Sequence, residues 1–64
     1  MVWRITTIRN GGETHDANTY ASEEDALKII KADLDKGAID SASIEDHDYD
    51  RIEWPEIKRR LGLQ

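Results

Sequence analysis

The chain has 64 residues, no cysteine, 36% charged residues and a net charge of −5 at neutral pH. That length allows one domain, residues 1–64, with a thin core, because a chain this small buries only about 60% of its unfolded surface. The missing cysteines exclude a disulfide framework and a thiolate metal cluster, and the acidic balance argues against direct contact with nucleic acid or an anionic membrane.

Val2 to Arg9 has strand composition, rich in Val, Ile, Thr and Trp. Asn10-Gly11-Gly12 follows, and Asn-Gly is a strong short hairpin signal. The return strand is expected over Glu13 to Tyr20, polar and irregular as an edge strand.

The strongest element is a helix running from Ser22 to Gly37. Ser22 can cap it, Glu23, Glu24 and Asp25 place negative charge at the positive end of its dipole, and Gly37 can close it. Ala26, Leu27, Ile30 and Leu34 form one apolar stripe, which Ile29 widens. Glu24, Lys28, Lys31 and Asp35 make a charge-balanced outer face.

Beyond Gly37 a strand is expected around Ala42 to Asp46, then a turn at Asp46-His47-Asp48, where aspartates bond their own backbone. Tyr49 to Trp54 alternates as a strand with Ile52 and Trp54 inward. Pro55 opens a last short helix with Ile57 and Leu61 on its inner face, ended by Gly62. The order predicts a small α+β domain: an antiparallel sheet of about four strands, one main helix packed on it and a short C-terminal helix.

The charge is uneven. Residues 38–56 hold seven acids against Arg51 alone, a net of −6, while residues 57–64 carry +3 and residues 1–21 are neutral. Like charges so close repel one another and lower stability, so a partner that uses them gives such a cluster a function. Glu45, Asp46, Asp48, Asp50 and Glu53, with Tyr49 as an exposed aromatic anchor, are the candidate binding residues for a surface of Lys and Arg. Carboxylates spaced along a strand and turn can stand in for phosphates. The same cluster also suits a solvated loop that keeps a small protein soluble.

Two chemical readings are weaker. Asp46-His47-Asp48-Tyr49-Asp50 has the opening spacing of a calcium loop, but Arg51 and Ile57 stand where the sixth-position Gly and twelfth-position Glu belong. His15 and His47 could meet across the sheet, but two isolated histidines are more often surface residues than a zinc site. Asp46, His47 and Asp50 include acid and base groups, yet no nucleophile stands beside a base at a recognisable spacing and no glycine loop cradles a phosphate. No catalytic residue, metal or cofactor is expected. The N-terminus lacks a signal-peptide pattern and no stretch reaches membrane-spanning length, so a cytoplasmic protein is expected, as monomer or homodimer.

From Val2 to Leu34, a hairpin followed by the helix start Tyr-Ala-Ser-Glu-Glu-Asp-Ala resembles the three-strand-plus-helix DNA-binding domains of the integrase-arm type. Those domains read DNA from a basic sheet, whereas this first strand offers only Arg4 and Arg9. As a whole, a tiny, acidic, cysteine-free α+β chain resembles in type, without a shared motif, the anti-CRISPR inhibitors encoded by phages and mobile elements. That resemblance implies a non-enzymatic inhibitor in the host cytoplasm. It would act as a DNA mimic on a basic nucleic-acid-binding protein, such as a CRISPR effector complex. The alternative is a regulatory interaction module, an accessory subunit or antitoxin-like partner. Affinity for a basic partner that falls with salt separates the two.

Overall fold

The computed structural model describes residues 2–63, so Met1 and Gln64 of the expected 1–64 domain lie outside the described residues. The chain runs β1 (Arg4–Arg9), β2 (Gly12–His15), α1 (Glu23–Asp35), β3 (Ser41–Glu45), β4 (Arg51–Ile52) and α2 (Trp54–Arg60). The strands form one antiparallel sheet in the order β2-β1-β3-β4. This is the α+β architecture expected from the sequence, with the main helix and a short C-terminal helix. No helix among the described residues is long and apolar enough to cross a membrane.

The β1–β2 hairpin turns on Asn10 and Gly11, both at positive φ (53° and 79°), with Arg9 opposite Gly12. Two positive φ values match the right-handed twist of the flanking strands. The turn is braced from outside: Asp40 Oδ2 accepts from the Asn10 backbone N–H at 2.8 Å, and Arg9 Nη1 donates to the Ala38 carbonyl at 3.3 Å.

The return strand is shorter than the Glu13–Tyr20 expected. Pairing with β1 ends near Asp16, whose N–H donates to the Ile5 carbonyl at 2.9 Å, and Asp16 Oδ1 then accepts from the Asn18 N–H at 3.0 Å. That side-chain bond offers the backbone an alternative to the ladder, and the chain swings out before Tyr20 rejoins Trp3 in a single bridge. On the other side β1 starts at Arg4 rather than Val2, where its pairing with β3 begins opposite Glu45.

Tyr20 Oη donates to Asp16 Oδ2 at 2.5 Å. This bond, then burial, pushes the phenol up to about 12. The same bond, then the Asn18 N–H, holds the Asp16 carboxyl below its ordinary value. A lowered acid contributes stability above its unfolded value of 3.8 that is lost as pH falls through the folded one. A raised phenol contributes stability below pH 10 that is lost as pH rises through about 12. Tyr20→Phe is therefore expected to be less stable than wild type at neutral pH, with the difference shrinking as acid protonates Asp16. Urea unfolding near pH 7 and at about pH 2 measures this, and a difference independent of pH contradicts the pairing.

Helix α1 begins as expected, with Ser22 Oγ accepting from the Asp25 N–H at 3.2 Å. Its end is closed by two bonds, Gly37 N–H to the Leu34 carbonyl (3.0 Å) and Ala38 N–H to the Asp33 carbonyl (2.9 Å), with Gly37 at φ 71°. A side chain there would meet the steric penalty that glycine avoids. Helix α2 closes with the same pair of bonds, from Gly62 to Arg59 and from Leu63 to Lys58.

One sheet face meets the helices. Ile5, Ala42 and Ile44 from the two central strands, Ala26 and Ile30 from α1 and Ile57 from α2 form the buried core. Leu27, Leu34, Trp3, Tyr20, Ile52, Trp54 and Leu61 are half-buried around it. The apolar stripe is thus narrower than its spacing suggests: Ile30 is its fully buried centre, and Ile29 is 38% exposed. The opposite sheet face is open, as in many antiparallel sheets.

Candidate functional site

The expected site is the β3–β4 hairpin, and its geometry follows from Asp46. The Asp46 N–H donates to the Asp50 carbonyl (3.0 Å), and the Tyr49 N–H donates to the Asp46 carbonyl (3.1 Å). Asp46 Oδ1 also accepts from the backbone N–H groups of Asp48 (2.8 Å) and Asp50 (3.0 Å). A half-buried aspartate thus organises a three-residue loop, His47-Asp48-Tyr49, and the turn expected at Asp46-His47-Asp48 is present.

The third position of such a loop takes the left-handed conformation and usually holds glycine. Here Tyr49 occupies it, at φ 65°, with 75% of its surface exposed. A bulky residue held left-handed costs about 1–2 kcal/mol, and this one gains little packing in return. Tyr49→Gly should raise stability by up to about 1 kcal/mol, after allowing for the extra freedom glycine has when unfolded. The urea midpoint checks this, and a loss of stability would mean that the ring packs on the protein.

The strand expected over Tyr49 to Trp54 is only Arg51–Ile52. Glu53, in extended backbone, is the N-cap of α2, and Trp54 begins that helix, with Pro55 in its first turn. Pro55 lacks the N–H a strand needs, and its fixed φ suits a helix start. Trp54 keeps its inward role from the helix, and Lys58 Nζ lies 6.0 Å from the centre of its ring.

Five of the six candidate residues lie in the hairpin and Glu53 just beyond it, but not as equals. Asp48, Tyr49 and Asp50 project at the tip, and Glu53 is exposed beyond β4. Asp46 is committed to the loop backbone. Glu45 is half-buried and stands between two cations in the sheet register, opposite Arg4 on one side and Arg51 on the other. Arg51 Nε also lies 3.8 Å from Glu53 Oε1, and His47 Nε2 lies 3.3 Å from Asp48 Oδ2.

Two acids counted with this segment face elsewhere. Asp40 sits at the opposite end of the sheet, on the Asn10 turn. Glu56 lies on α2, where Arg59 Nη2 (2.6 Å) and Arg60 Nε (3.0 Å) bind it; it raises the Arg59 guanidinium above its ordinary value. Arg60 also pairs with Glu23, joining α2 to the start of α1. The −6 of residues 38–56 is therefore divided in space: Asp40 is exposed at the far end of the sheet, and the exposed acids near the hairpin are those of the tip and Glu53. Segment counting includes Arg51 but misses Arg4 as a neighbour of Glu45, since only strand register brings Arg4 there.

Asp46, His47 and Asp48 each offer one metal-ligand atom, all within 4.8 Å of one another. Asp46 Oδ1 already accepts two backbone bonds, which ties this carboxylate to the loop. The chain matches no protein-family model, no curated protein and no solved structure.

Proposed function

We propose that this protein is a non-enzymatic binding protein whose acidic hairpin occupies the basic, nucleic-acid-binding surface of a partner. In its most concrete form it is an anti-CRISPR-type inhibitor acting as a DNA mimic. The observation that supports this reading is the hairpin tip. Asp48 and Asp50 flank a Tyr49 that is held exposed in a backbone conformation disfavoured for its type. Strain of that kind persists where the surroundings impose it, and it clusters at functional positions. An aromatic ring between two carboxylates supplies an anchor and a charge match to a basic surface.

Asp48, Tyr49, Asp50 and Glu53 are the contact residues in this reading. Asp46 holds the loop in shape, and Glu45 lies on the rim beside Arg4 and Arg51. The test is competition. The partner is captured from host lysate, and this protein is titrated against a preformed complex of that partner with duplex DNA. Displacement of the DNA, weakening as salt rises, is the expected result. A partner that holds this protein and DNA together would replace this reading with the accessory-subunit one.

A further inference from the structure

The sheet has two edges, and they differ. β4 is two residues long and leads directly into α2. β2 has four residues, all exposed, on the outer side of β1. In an antiparallel ladder, bonded and non-bonded residue pairs alternate. Arg9 and Gly12 flank the two-residue turn as a bonded pair, Thr7 and Thr14 are the next, and the Asp16 N–H to Ile5 carbonyl bond of 2.9 Å keeps the phase. The backbone N–H and C=O groups of Glu13 and His15 therefore point away from β1. They form a free pairing edge of two donors and two acceptors.

We propose that β2 is the interface of a homodimer, in which two copies pair antiparallel about a two-fold axis at Thr14 and form one eight-stranded sheet. The register follows from the residues. An axis at Thr14 sets Glu13 opposite the partner's His15, and His15 opposite the partner's Glu13, using every outward backbone group. An axis at Glu13 sets carboxylate against carboxylate, and one at His15 sets imidazole against imidazole. Each of these also leaves outward groups unpaired. Like charges directly opposite are unfavourable, whereas a carboxylate opposite an imidazole can accept its N–H.

The side chains fit this register. Glu13 stands opposite Ile8, and His15 opposite Thr6, on the open sheet face. His15 Nδ1 shares a 3.0 Å hydrogen bond with Thr6 Oγ1. That bond fixes the ring and leaves Nε2 free for the partner's Glu13. On the other face Thr14 meets the partner's Thr14, a pairing that sheets favour. Closed two-fold pairing also consumes the edge, so the assembly stops at two on this side.

Sedimentation equilibrium of the intact chain, up to about 1 mM because the interface is small, is expected to show a reversible shift from monomer to dimer mass. Glu13→Pro removes an outward donor without touching a β1 bond and should leave a folded monomer. Glu13→Lys and His15→Glu should each weaken association by about tenfold or more, and the double variant, which sets Lys opposite Glu, should recover most of it. If Glu13→Pro does not fold, the two single changes and their combination decide. A wild-type monomer at all concentrations overturns the proposal. So does a dimer indifferent to these changes, or a double variant no better than the singles.

Discussion

Ile30→Ala is expected to leave little folded protein. Ile30 has no exposed surface and sits at the centre of the core, on the α1 face that meets Ile5, Ala42, Ile44 and Ile57. Truncating a fully buried Ile costs about 2–5 kcal/mol, from lost transfer energy and from the cavity left behind. At roughly 0.05–0.15 kcal/mol per residue, a chain of this size has a total stability of only about 3–10 kcal/mol. Among the described residues the core has six buried side chains, two of them alanines, so few neighbours can move in to fill the gap. Ile29→Ala, one residue away and 38% exposed, is the control and should change stability by less than about 1 kcal/mol. Circular dichroism with urea unfolding compares them. Similar effects at the two positions would contradict the packing described for α1.

The second large effect is on binding. Reversing Asp48, Asp50 and Glu53 together to Lys should leave the fold intact. All three are exposed, and exposed charges contribute about 0–1 kcal/mol each to stability. Affinity for the captured basic partner should fall by about tenfold or more for each charge that lies within the contact, mostly through slower association for rim charges. Asp46 is left out of the set because its carboxylate holds two backbone N–H groups. Glu45 is left out because its Arg4 and Arg51 neighbours would respond to the change.

What the sequence reveals differs between elements for physical reasons. The main helix was legible because its signals are local: Ser22 and Gly37 act within one turn of each end, and the Ile30 stripe repeats inside one segment. The Asn10-Gly11 turn was legible on the same ground. The early end of β2 was not, because Asp16 bonds Asn18 and Tyr20 in place of the ladder, a choice between two satisfactory partners that composition does not rank. The span Tyr49 to Trp54 alternates convincingly, yet Pro55 commits Trp54 to the helix.

At the candidate site, residue types and their grouping in one hairpin were legible, but the division of labour was not. Whether an acid caps a loop like Asp46, braces a distant turn like Asp40 or holds arginines like Glu56 depends on contacts across the fold. Tyr49 in the left-handed position had a local signal. A three-residue loop between two strands calls for glycine there, and the sequence offers tyrosine.

The most direct measurement compares two charge-reversal sets against the same partner. One set is Asp48, Asp50 and Glu53 to Lys; the other is Glu24 and Asp35 to Lys on the balanced face of α1. Association rate and affinity are read at low and high salt. The expected result is a large loss for the hairpin set, a small one for the helix set, and a gap per reversed charge that narrows as salt screens the charges. Equal losses per charge from the two sets, or affinities indifferent to salt, would contradict the claim that this hairpin is a binding surface and leave it a solvated acidic loop.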